Sequence, residues 1–348
     1  MIRILHVSAH ENLFHEYHKN FDNKNIIFDY VLRKGGEDFK FKSEIDIRSK
    51  LYYLTPIQSN WVKFIIELRN ILKSNEYKYV HLHLSYANIF GIIASIASGV
   101  KIISHNHSTY KPRNFILSFL RRLILKPIIN FFSDQTLACS IQAGDEMFYK
   151  YEVIPNSINY EKFSFSQDHR DKIRTQFDIS DDTFLIGHVG HFMLIKNHDF
   201  FINLLKEINS NLKIKILLVG IDLGSKLDFI KKVKNNNLFD YFIIHEYSNN
   251  INEFYSAFDI FIFPSFKEGL PLSLLEAQVN GLKCFYSNTI TSEVKISEET
   301  RSFDINNFSE SSLIEYINKE NIGNRFSGFN ERFNIKKNYK KLQEVYTS

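Results

Sequence analysis

The chain has 348 residues, of which 44% are hydrophobic and 24% are charged, and its formal net charge is +4. This composition is ordinary for a globular protein and excludes wholesale disorder, and the length favours two domains over a single core. A net charge this small identifies no partner by itself.

Neither the cysteines nor the N-terminus indicates export. Cys139 and Cys284 lie far apart and fit no disulfide or metal-ligand spacing, which favours a reducing compartment. The N-terminal residues form only a short apolar run without a small-residue cleavage site, and no apolar stretch is long enough to span a bilayer. We therefore expect a cytoplasmic protein.

In chain order, the first half alternates β-branched or aromatic runs with segments of helical periodicity, which is typical of βαβ units and a parallel sheet. Helices are predicted at Ser59–Ser74, over the apolar segment Tyr86–Ser98, and after Ser140, which is a good N-cap residue. The predicted strands are Ile2–Val7, Ile26–Val31, Tyr79–Leu84, Lys101–Ser104 and Gln135–Cys139.

The alternation breaks at Glu152–Asn159, where a short strand runs into a Pro-Asn turn and a polar stretch follows to about Asp181. Because domain boundaries fall in such segments, we expect one Rossmann-like domain over residues 1–155 and a second over residues 156–330.

The second half restarts the alternation and ends in a helix from about Ile335 to Tyr346. Two doubly wound α/β domains that face each other across a cleft are predicted, and ligands of such sheets bind beyond the carboxyl ends of the strands. The predicted strands are Phe184–Val189, Lys213–Val219, Tyr241–Ile244, Asp259–Phe263 and Lys283–Tyr286. The predicted helices are His198–Ile208, Ser225–Lys234, Asn249–Phe258 and Pro271–Asn280.

The most informative segment is Phe263–Gly281, which places Glu268 and Glu276 on either side of a Gly-Leu-Pro turn. A strand, a sharp turn and a helix N-terminus are predicted here, and backbone N–H groups at such a junction can bind an anion. This layout suits a ligand that combines a diphosphate, a ribose and a sugar ring. Alternatively, the two glutamates are surface carboxylates stabilised by the helix dipole.

A second candidate is the loop Gly190–Asn197, which follows the first predicted strand of the second half. Its glycine permits a tight turn, and Lys196, six residues on, can reach an anion at the cleft. In isolation, the simpler interpretation is an ordinary βα loop with a solvated lysine.

Several motifs together resemble one family. Phe263–Gly281 is similar to the E-x7-E signature of the retaining glycosyltransferases of family 4, which have the GT-B fold, and Gly190–Asn197 resembles their G-R…K-N loop. Val153–Ile158 resembles the family's inter-domain VIPNGI segment. Three further segments resemble motifs of the exopolysaccharide and capsule branch: Ala138–Gly144 (ACS..AG), Val80–His83 (DIVHxH) and Ser104–His107 (HSHNT). The resemblance covers nearly the whole chain.

The resemblance implies roles for individual residues. It implies that Lys196 binds the diphosphate of a nucleotide-sugar donor, that Glu268 meets the donor sugar hydroxyls and that Glu276 binds the ribose hydroxyls. Carboxylates are natural acceptors for vicinal hydroxyls, and a leaving diphosphate needs preorganised positive charge. The family works without a divalent metal, and we expect no cofactor here. The implied donor-binding residues are Gly190, His191, Lys196, Gly269, Leu270, Pro271, Leu272 and Glu276.

His107 is the best match to the family's N-domain histidine beside the donor sugar, and the resemblance implies a catalytic role for it with Glu268. His105 shares its face if the segment is extended, so geometry does not choose between the two. Either could instead be a core or surface histidine, since the chain contains 13 histidines.

Two positions depart from the family pattern. His191 stands where the family usually has arginine, and because histidine is cationic only when protonated, we expect a weaker or pH-dependent phosphate contact. The first βα loop, Ser8–Asn12, lacks the usual Gly-Gly, which puts acceptor contacts there in doubt.

The span Lys101–Lys126 holds six Lys and Arg residues and no acidic residue, with apolar residues at helical spacing. A basic amphipathic helix can lie on an anionic membrane surface, although a core-facing helix with a solvated basic face fits the same pattern. We favour membrane contact through Lys111–Lys126, because many relatives act on lipid-linked acceptors.

We therefore expect a retaining glycosyltransferase that moves a hexose or N-acetylhexosamine from a nucleotide sugar, preferably a UDP-sugar, to a lipid-linked oligosaccharide. The setting would be capsule, exopolysaccharide or O-antigen assembly, peripheral on the inner face of the cytoplasmic membrane, with no nucleic acid partner. The N-terminal domain would bind the acceptor and the C-terminal domain the donor, and residues 331–348 would pack back toward the N-terminal domain. The alternatives are a degenerate, non-catalytic partner subunit and a sugar-nucleotide epimerase of similar fold.

Overall fold

A computed structural model of the chain describes residues 1–7, 16–21, 25–35, 42, 44–74, 76–107, 115–208, 212–248, 250–307, 312–318 and 323–347. The chain forms two compact units: unit 1 combines Met1–Ile158 with Phe333–Ser348, and unit 2 spans Asn159–Arg332. Each unit is built on a parallel sheet.

The strands of unit 1 are Ile2–Val7 (β1), Ile26–Arg33 (β2), Leu51–Leu54 (β3), Tyr79–Leu82 (β4), Lys101–Asn106 (β5), Gln135–Ala138 (β6) and Glu152–Val153 (β7). Over the described residues they form one parallel sheet with the order β3-β2-β1-β4-β5-β6-β7. The chain runs outward from β1 to β3 and then returns to the other side of β1 at β4. Doubly wound sheets place their binding sites at such a reversal, beyond the carboxyl ends of the strands.

Helices pack on the sheet of unit 1, and Ile57–Ser74 buries Phe64, Leu68 and Leu72 in its core. The predicted N-cap at Ser140 is confirmed, since its side-chain oxygen accepts a hydrogen bond from the Ala143 N–H at 3.1 Å. The further helices of this unit are Asn88–Ser95, Phe115–Leu120, the π-helical turn Arg121–Leu125, Lys126–Phe132, Ile141–Met147 and Ile335–Thr347.

The C-terminal helix Ile335–Thr347 returns to unit 1 after the chain has built unit 2. The Ile335 N–H donates to the Ile158 carbonyl at 3.0 Å, and the Asn338 side-chain amide donates to Ser157 Oγ at 2.8 Å. The Tyr346 side chain is completely buried. The last helix is therefore part of the core of unit 1.

The strands of unit 2 are Phe184–Val189 (β8), Ile214–Val219 (β9), Phe242–His245 (β10), Ile260–Phe263 (β11), Lys283–Ser287 (β12) and Thr300–Phe303 (β13). They form a parallel sheet with the order β10-β9-β8-β11-β12-β13. All four residues of β11 are buried, as in a central strand covered on both faces. The helices are Tyr160–Phe163, Gln167–Gln176, Asp199–Glu207, Lys226–Asn235, Ile251–Ala257, Leu272–Val279 and Ser312–Asn318.

Two strands were not predicted, and both lie at sheet edges. β3 and β13 each have four residues, and two of the four in β13 are exposed. The sequence of β13, Thr-Arg-Ser-Phe, lacks the apolar run that marks a central strand, whereas β3 is Leu-Tyr-Tyr-Leu and was missed despite such a run.

No helix was predicted in the polar stretch to about Asp181, but Gln167–Gln176 is a helix. Its inward face carries Arg170 and Arg174, whose guanidinium groups lie 2.8 Å and 3.4 Å from the carboxylate of Asp259. That buried carboxylate also accepts from the Leu185 N–H at 2.7 Å. The helix therefore packs largely through a buried ion network, with Ile173 as its one buried apolar residue.

Over the described ranges, every helix is too short or too polar to cross a bilayer.

Candidate functional site

The carboxyl ends of β8 and β11 lie side by side in unit 2, because the two strands pair in parallel. The loop after each strand carries one of the two motifs singled out in the sequence. The Phe266 N–H donates to the Ile195 carbonyl at 2.9 Å, and the Asn197 side-chain amide donates to the Pro264 carbonyl at 3.2 Å. These two bonds fasten the loops together.

Special backbone geometry shapes the first loop. Asn197 has a φ of 54° at the end of the 3-10 turn Leu194–Lys196, a left-handed conformation that asparagine tolerates better than most residues. At Gly220, which follows the neighbouring β9, an added Cβ would lie 2.1 Å from the carbonyl oxygen of Gly190. Only glycine fits this close approach, which places the Gly190 turn against the neighbouring loop.

Lys196 and Glu268, which are 72 positions apart in the sequence, meet at this edge. The Lys196 ammonium lies 2.6 Å from the Glu268 carboxylate and 4.9 Å from the centroid of the Phe263 ring. The two side chains are 17% and 18% exposed, so both are largely enclosed but reachable by a ligand. A charge-assisted pair in this setting is stronger than one on an open surface.

Glu276 lies on the helix Leu272–Val279, and a tyrosine holds its carboxylate in place. The Tyr255 hydroxyl, from the helix Ile251–Ala257, donates to Glu276 Oε2 at 2.6 Å. Burial and the neighbouring Glu276 charge raise the pKa of Tyr255 well above its usual value, so the phenol stays protonated and donates. Tyr255 was not predicted as a site residue, because a tyrosine in an apolar helix looks like a core residue.

The helix Leu272–Val279 presents an open N-terminus to the same edge. Its N-cap is Pro271, which has no side-chain oxygen to accept from the first-turn N–H groups. Leu270 is buried, whereas Gly269 and Leu272 are partly exposed. The first-turn N–H groups, which have no acceptor within the helix, and the helix dipole make this end suitable for an anion.

His191 is partly exposed and lies on the same loop as Lys196, directly after Gly190. Its ring centroid is 6.5 Å from that of Tyr247. The structure therefore brings six of the predicted residues of unit 2 to one sheet edge: Gly190, His191, Lys196, Glu268, Gly269 and Glu276.

The histidine predicted in the other half lies in unit 1, directly after β5. His107 is partly exposed, whereas His105 is 1% exposed. Their ring centroids are 3.9 Å apart, so the two rings lie on the same side of the chain. The exposure of the two side chains separates them where the sequence pattern did not. Of this pair, His107 is the one that a ligand can reach. Ser8–Asn12, Lys111 and Arg113 lie outside the described residues.

Comparison with known proteins identifies the family. The model described as glycosyl transferases group 1 matches residues 169–341, and the model described as Glycosyltransferase Family 4 matches residues 11–162. EpsF of Bacillus subtilis (strain 168) is 28% identical over 316 residues, which is 84% of this chain and 80% of EpsF.

An Escherichia coli protein named UDP-Gal:alpha-D-GlcNAc-diphosphoundecaprenol alpha-1,3-galactosyltransferase is 26% identical over 311 residues, which is 82% of this chain and 79% of that protein. The crystal structure of HepE from Anabaena in complex with UDP and glucose shares the fold with a TM-score of 0.81, at 17% identity and with both chains covered completely. The chain therefore belongs to the family 4 glycosyltransferases and has their GT-B fold.

Proposed function

We propose that this transferase moves a hexose or an N-acetylhexosamine from a UDP-sugar to a lipid-linked saccharide during assembly of a surface polysaccharide, with retention of the anomeric configuration. One observation carries the proposal: Lys196 pairs with Glu268 on the loop that leads into the open N-terminus of the helix that bears Glu276. This sheet edge therefore offers a cation and a helix dipole for a diphosphate, and two carboxylates for the hydroxyls of a sugar and a ribose.

Lys196 is the proposed ligand of the donor diphosphate. Its ammonium already contacts Glu268 at 2.6 Å, so a diphosphate that binds Lys196 must share or displace that contact. Displacement would free the Glu268 carboxylate to accept hydrogen bonds from the sugar hydroxyls. Donor binding would thus exchange one ion pair for another and turn Glu268 toward the sugar.

Glu276 is the proposed acceptor for the two ribose hydroxyls. Tyr255 donates to Oε2, and because each carboxylate oxygen has two lone pairs, the carboxylate can accept more than one hydrogen bond. Because the phenol fixes the carboxylate in advance, little side-chain entropy is lost when the ribose binds.

The residues of unit 2 would act on the leaving group. When the bond between the sugar C1 and the diphosphate oxygen breaks, its electron pair stays on the diphosphate, next to Lys196 and the helix N-terminus. The acceptor hydroxyl attacks C1 from the same face, and its proton passes to a diphosphate oxygen. The protein then needs no covalent nucleophile, only charge in a fixed position.

The known proteins support the donor and the acceptor class. HepE has been crystallised with UDP, with UDP and glucose, and with UDP-glucose. The name of the E. coli relative gives it a UDP-sugar donor and a lipid diphosphate acceptor. We infer the same two classes here, and we place His107 beside the donor sugar and His191 beside the diphosphate.

We also propose that a face of unit 1 contacts an anionic membrane surface. The helical segment Phe115–Phe132, here the basic segment, carries Arg121, Arg122 and Lys126. Large apolar side chains of this segment are exposed to solvent instead of packed in the core: Phe119 (52%), Leu120 (40%), Leu123 (55%), Ile124 (49%), Phe131 (82%) and Phe132 (39%). Cations beside exposed apolar residues are typical of interfacial helices, and a lipid-linked acceptor would be presented at that surface.

Vesicle flotation tests the membrane proposal. Wild-type protein should float with vesicles that contain anionic lipid, float less in high salt, and stay unbound to zwitterionic vesicles. Replacing Leu123 and Phe131 with serine should abolish flotation, whereas the same changes at Leu194 and Leu227, which are exposed in unit 2, should not. Equal flotation of both double variants would refute the assigned surface.

A donor screen tests the transferase proposal. Purified protein is incubated with a panel of UDP- and GDP-sugars, and release of the nucleoside diphosphate is followed by mass spectrometry. We expect release from a UDP-sugar, at least tenfold slower for Lys196→Met and unchanged for Lys213→Met, whose lysine pairs with Asp182 on the surface of the same unit. No release from any donor would contradict the proposal, and conversion of a donor to an isomer without release would indicate an epimerase.

A further inference from the structure

Five histidines gather at the carboxyl ends of three neighbouring strands of unit 1. His6 lies on β1 opposite His81 on β4, His83 follows β4, and His105 and His107 lie on and after β5. His6, His81, His83 and His105 are buried, and the ring of His107 is partly exposed. So many buried imidazoles are costly unless each ring nitrogen finds a partner.

The five rings are joined end to end with Tyr346 of the C-terminal helix. We call this set the histidine chain. Its successive links are Asn156 Oδ1 to His107 Nδ1 (2.9 Å), His107 Nε2 to His83 Nδ1 (3.0 Å), His83 Nε2 to His6 Nδ1 (3.0 Å), His6 Nε2 to the Tyr346 hydroxyl (3.3 Å), the Tyr346 hydroxyl to His81 Nδ1 (2.7 Å), and His81 Nε2 to His105 Nδ1 (3.2 Å).

Burial keeps three rings of the chain neutral. Burial lowers the pKa of His6 to about 3 and holds the pKa values of His81 and His83 well below their usual value, with neighbouring histidines adding to the effect at His81 and His83. Burial also keeps the Tyr346 phenol protonated, because it raises that pKa well above its usual value. A neutral imidazole carries one N–H and offers one lone pair.

The protons then match the links one to one. With His105 and His107 neutral as well, the five rings and one phenol supply six protons, and the six hydrogen bonds need six. If the Asn156 carbonyl oxygen accepts from His107 Nδ1–H, then His107 Nε2 carries no proton and must accept from His83 Nδ1–H. In the same way, each following ring accepts at Nε2 or donates from Nδ1 according to the bond before it, as far as His105. One bond at Asn156 therefore fixes the tautomer of all five histidines, each of which carries its proton on Nδ1.

We propose that Asn156, His83 and Tyr346 are positioning residues that hold His107 neutral and in its Nδ1–H tautomer through one directional chain of hydrogen bonds. The role of His107 beside the donor sugar rests on the proposed function, but the chain itself does not. It ties the C-terminal helix to His107, since Tyr346 links the His6 half of the chain to the His81 half. A donor that takes a hydrogen bond from His107 would have to compete with Asn156.

The same histidines resemble a metal site less well. One nitrogen from each of His83, His105 and His107 lies within 4.8 Å of the others, and so does one from each of His6, His81 and His83. However, nitrogens of His83 already pair with His107 and with His6 at 3.0 Å. A metal ion would break such a bond, whereas the chain satisfies both nitrogens of His83.

Long-range 15N–1H NMR of the full chain with 15N-labelled histidine rings tests the proposal without any donor. Single histidine-to-glutamine variants assign the signals, and the nitrogen shifts show which ring nitrogen is protonated. We expect Nδ1–H at His6, His81, His83, His105 and His107. Protonation at Nε2 in all five rings, or a mixture of tautomers within the five, would overturn the proposal.

Two variants sharpen the test. Tyr346→Phe removes only the hydroxyl, so His107, His83 and His6 should keep their tautomer while His81 and His105 lose theirs and sample both. Asn156→Asp offers only acceptor oxygens, so all five rings should stay as Nδ1–H. Unchanged tautomers at His81 and His105 in Tyr346→Phe, or loss of the ring signals on addition of Zn²⁺ to the wild type, would overturn the proposal.

Discussion

Replacement of Glu276 should weaken binding of the nucleotide itself, because this carboxylate is assigned to the ribose. A hydrogen bond to a charged group contributes about 1.5–3 kcal/mol, so losing two ribose contacts costs about 3 kcal/mol or more. Since about 1.4 kcal/mol corresponds to tenfold in affinity, Glu276→Ala should raise the Kd for UDP by about 100-fold.

The Tyr255 contact complicates the alanine variant and also supplies its control. Without Glu276, the buried Tyr255 hydroxyl loses the acceptor now 2.6 Å away, which should lower the free energy of unfolding by about 1–3 kcal/mol. Glu276→Gln keeps an acceptor for Tyr255 and removes only the charge, so its stability should stay near wild type while UDP affinity still falls by about tenfold.

Calorimetric titration with UDP and urea unfolding separate these effects. Glu298→Ala is the matched control, since that glutamate is 94% exposed on the surface of unit 2 and should change neither quantity. A second contrast comes from Glu268→Ala, which should weaken binding of a UDP-sugar but leave UDP affinity within a few-fold. A folded Glu276→Ala protein that binds UDP with wild-type affinity would refute the assignment of the ribose site.

Three further predictions address the diphosphate, the core of unit 2 and the histidines of unit 1. Lys196→Met should weaken UDP binding by tenfold or more and leave the weak binding of uridine unchanged; equal losses for both ligands would contradict a diphosphate contact. Asp259→Ala should lower the free energy of unfolding of unit 2, measured by urea denaturation, by about 3–5 kcal/mol, because the buried guanidinium groups of Arg170 and Arg174 lose their counter-charge. A loss below 1 kcal/mol would speak against the buried network. Because folding depresses the pKa values of His6, His81 and His83 from about 6.5, their stabilisation is complete above pH 6.5 and is lost as the pH falls. Between pH 7.5 and 5.5, protonation of each of these histidines in the unfolded state should remove about 1.4 kcal/mol from the stability of unit 1. A stability that stays constant over this range would contradict neutral burial.

The central strands and the site loops could be predicted because their signals are local. β1 and β8 have the predicted limits, and the limits of β9 and β11 differ from the prediction by one residue at one end. Parallel strands in the interior are apolar along their whole length, and the carboxyl ends of neighbouring strands meet at one edge. Those two rules place the loops that carry Lys196 and Glu268 at one sheet edge, whereas the roles predicted for the two residues came from the family resemblance.

The groups that hold the site in place were not predictable, since their partners are distant in sequence. Tyr255 lies 21 positions before Glu276, and Asn156 lies 49 positions after His107. The helix Gln167–Gln176 was missed because its buried face is made of arginines, whose role depends on Asp259, some 90 positions later. Residues of this kind look like ordinary core or surface positions until the fold supplies the partner.

The identity of the transferred group and the stereochemistry of transfer test the central claim most directly. The protein is given a UDP-sugar and a polyprenyl-diphosphate saccharide, and the product is examined by mass spectrometry and by NMR of the new anomeric centre. We predict a lipid product heavier by one sugar, with the donor's anomeric configuration, one UDP released per transfer, and loss of product for Lys196→Met. A product of inverted configuration, or a UDP-sugar that binds at the Lys196 site without transfer to any lipid-linked saccharide, would contradict the account.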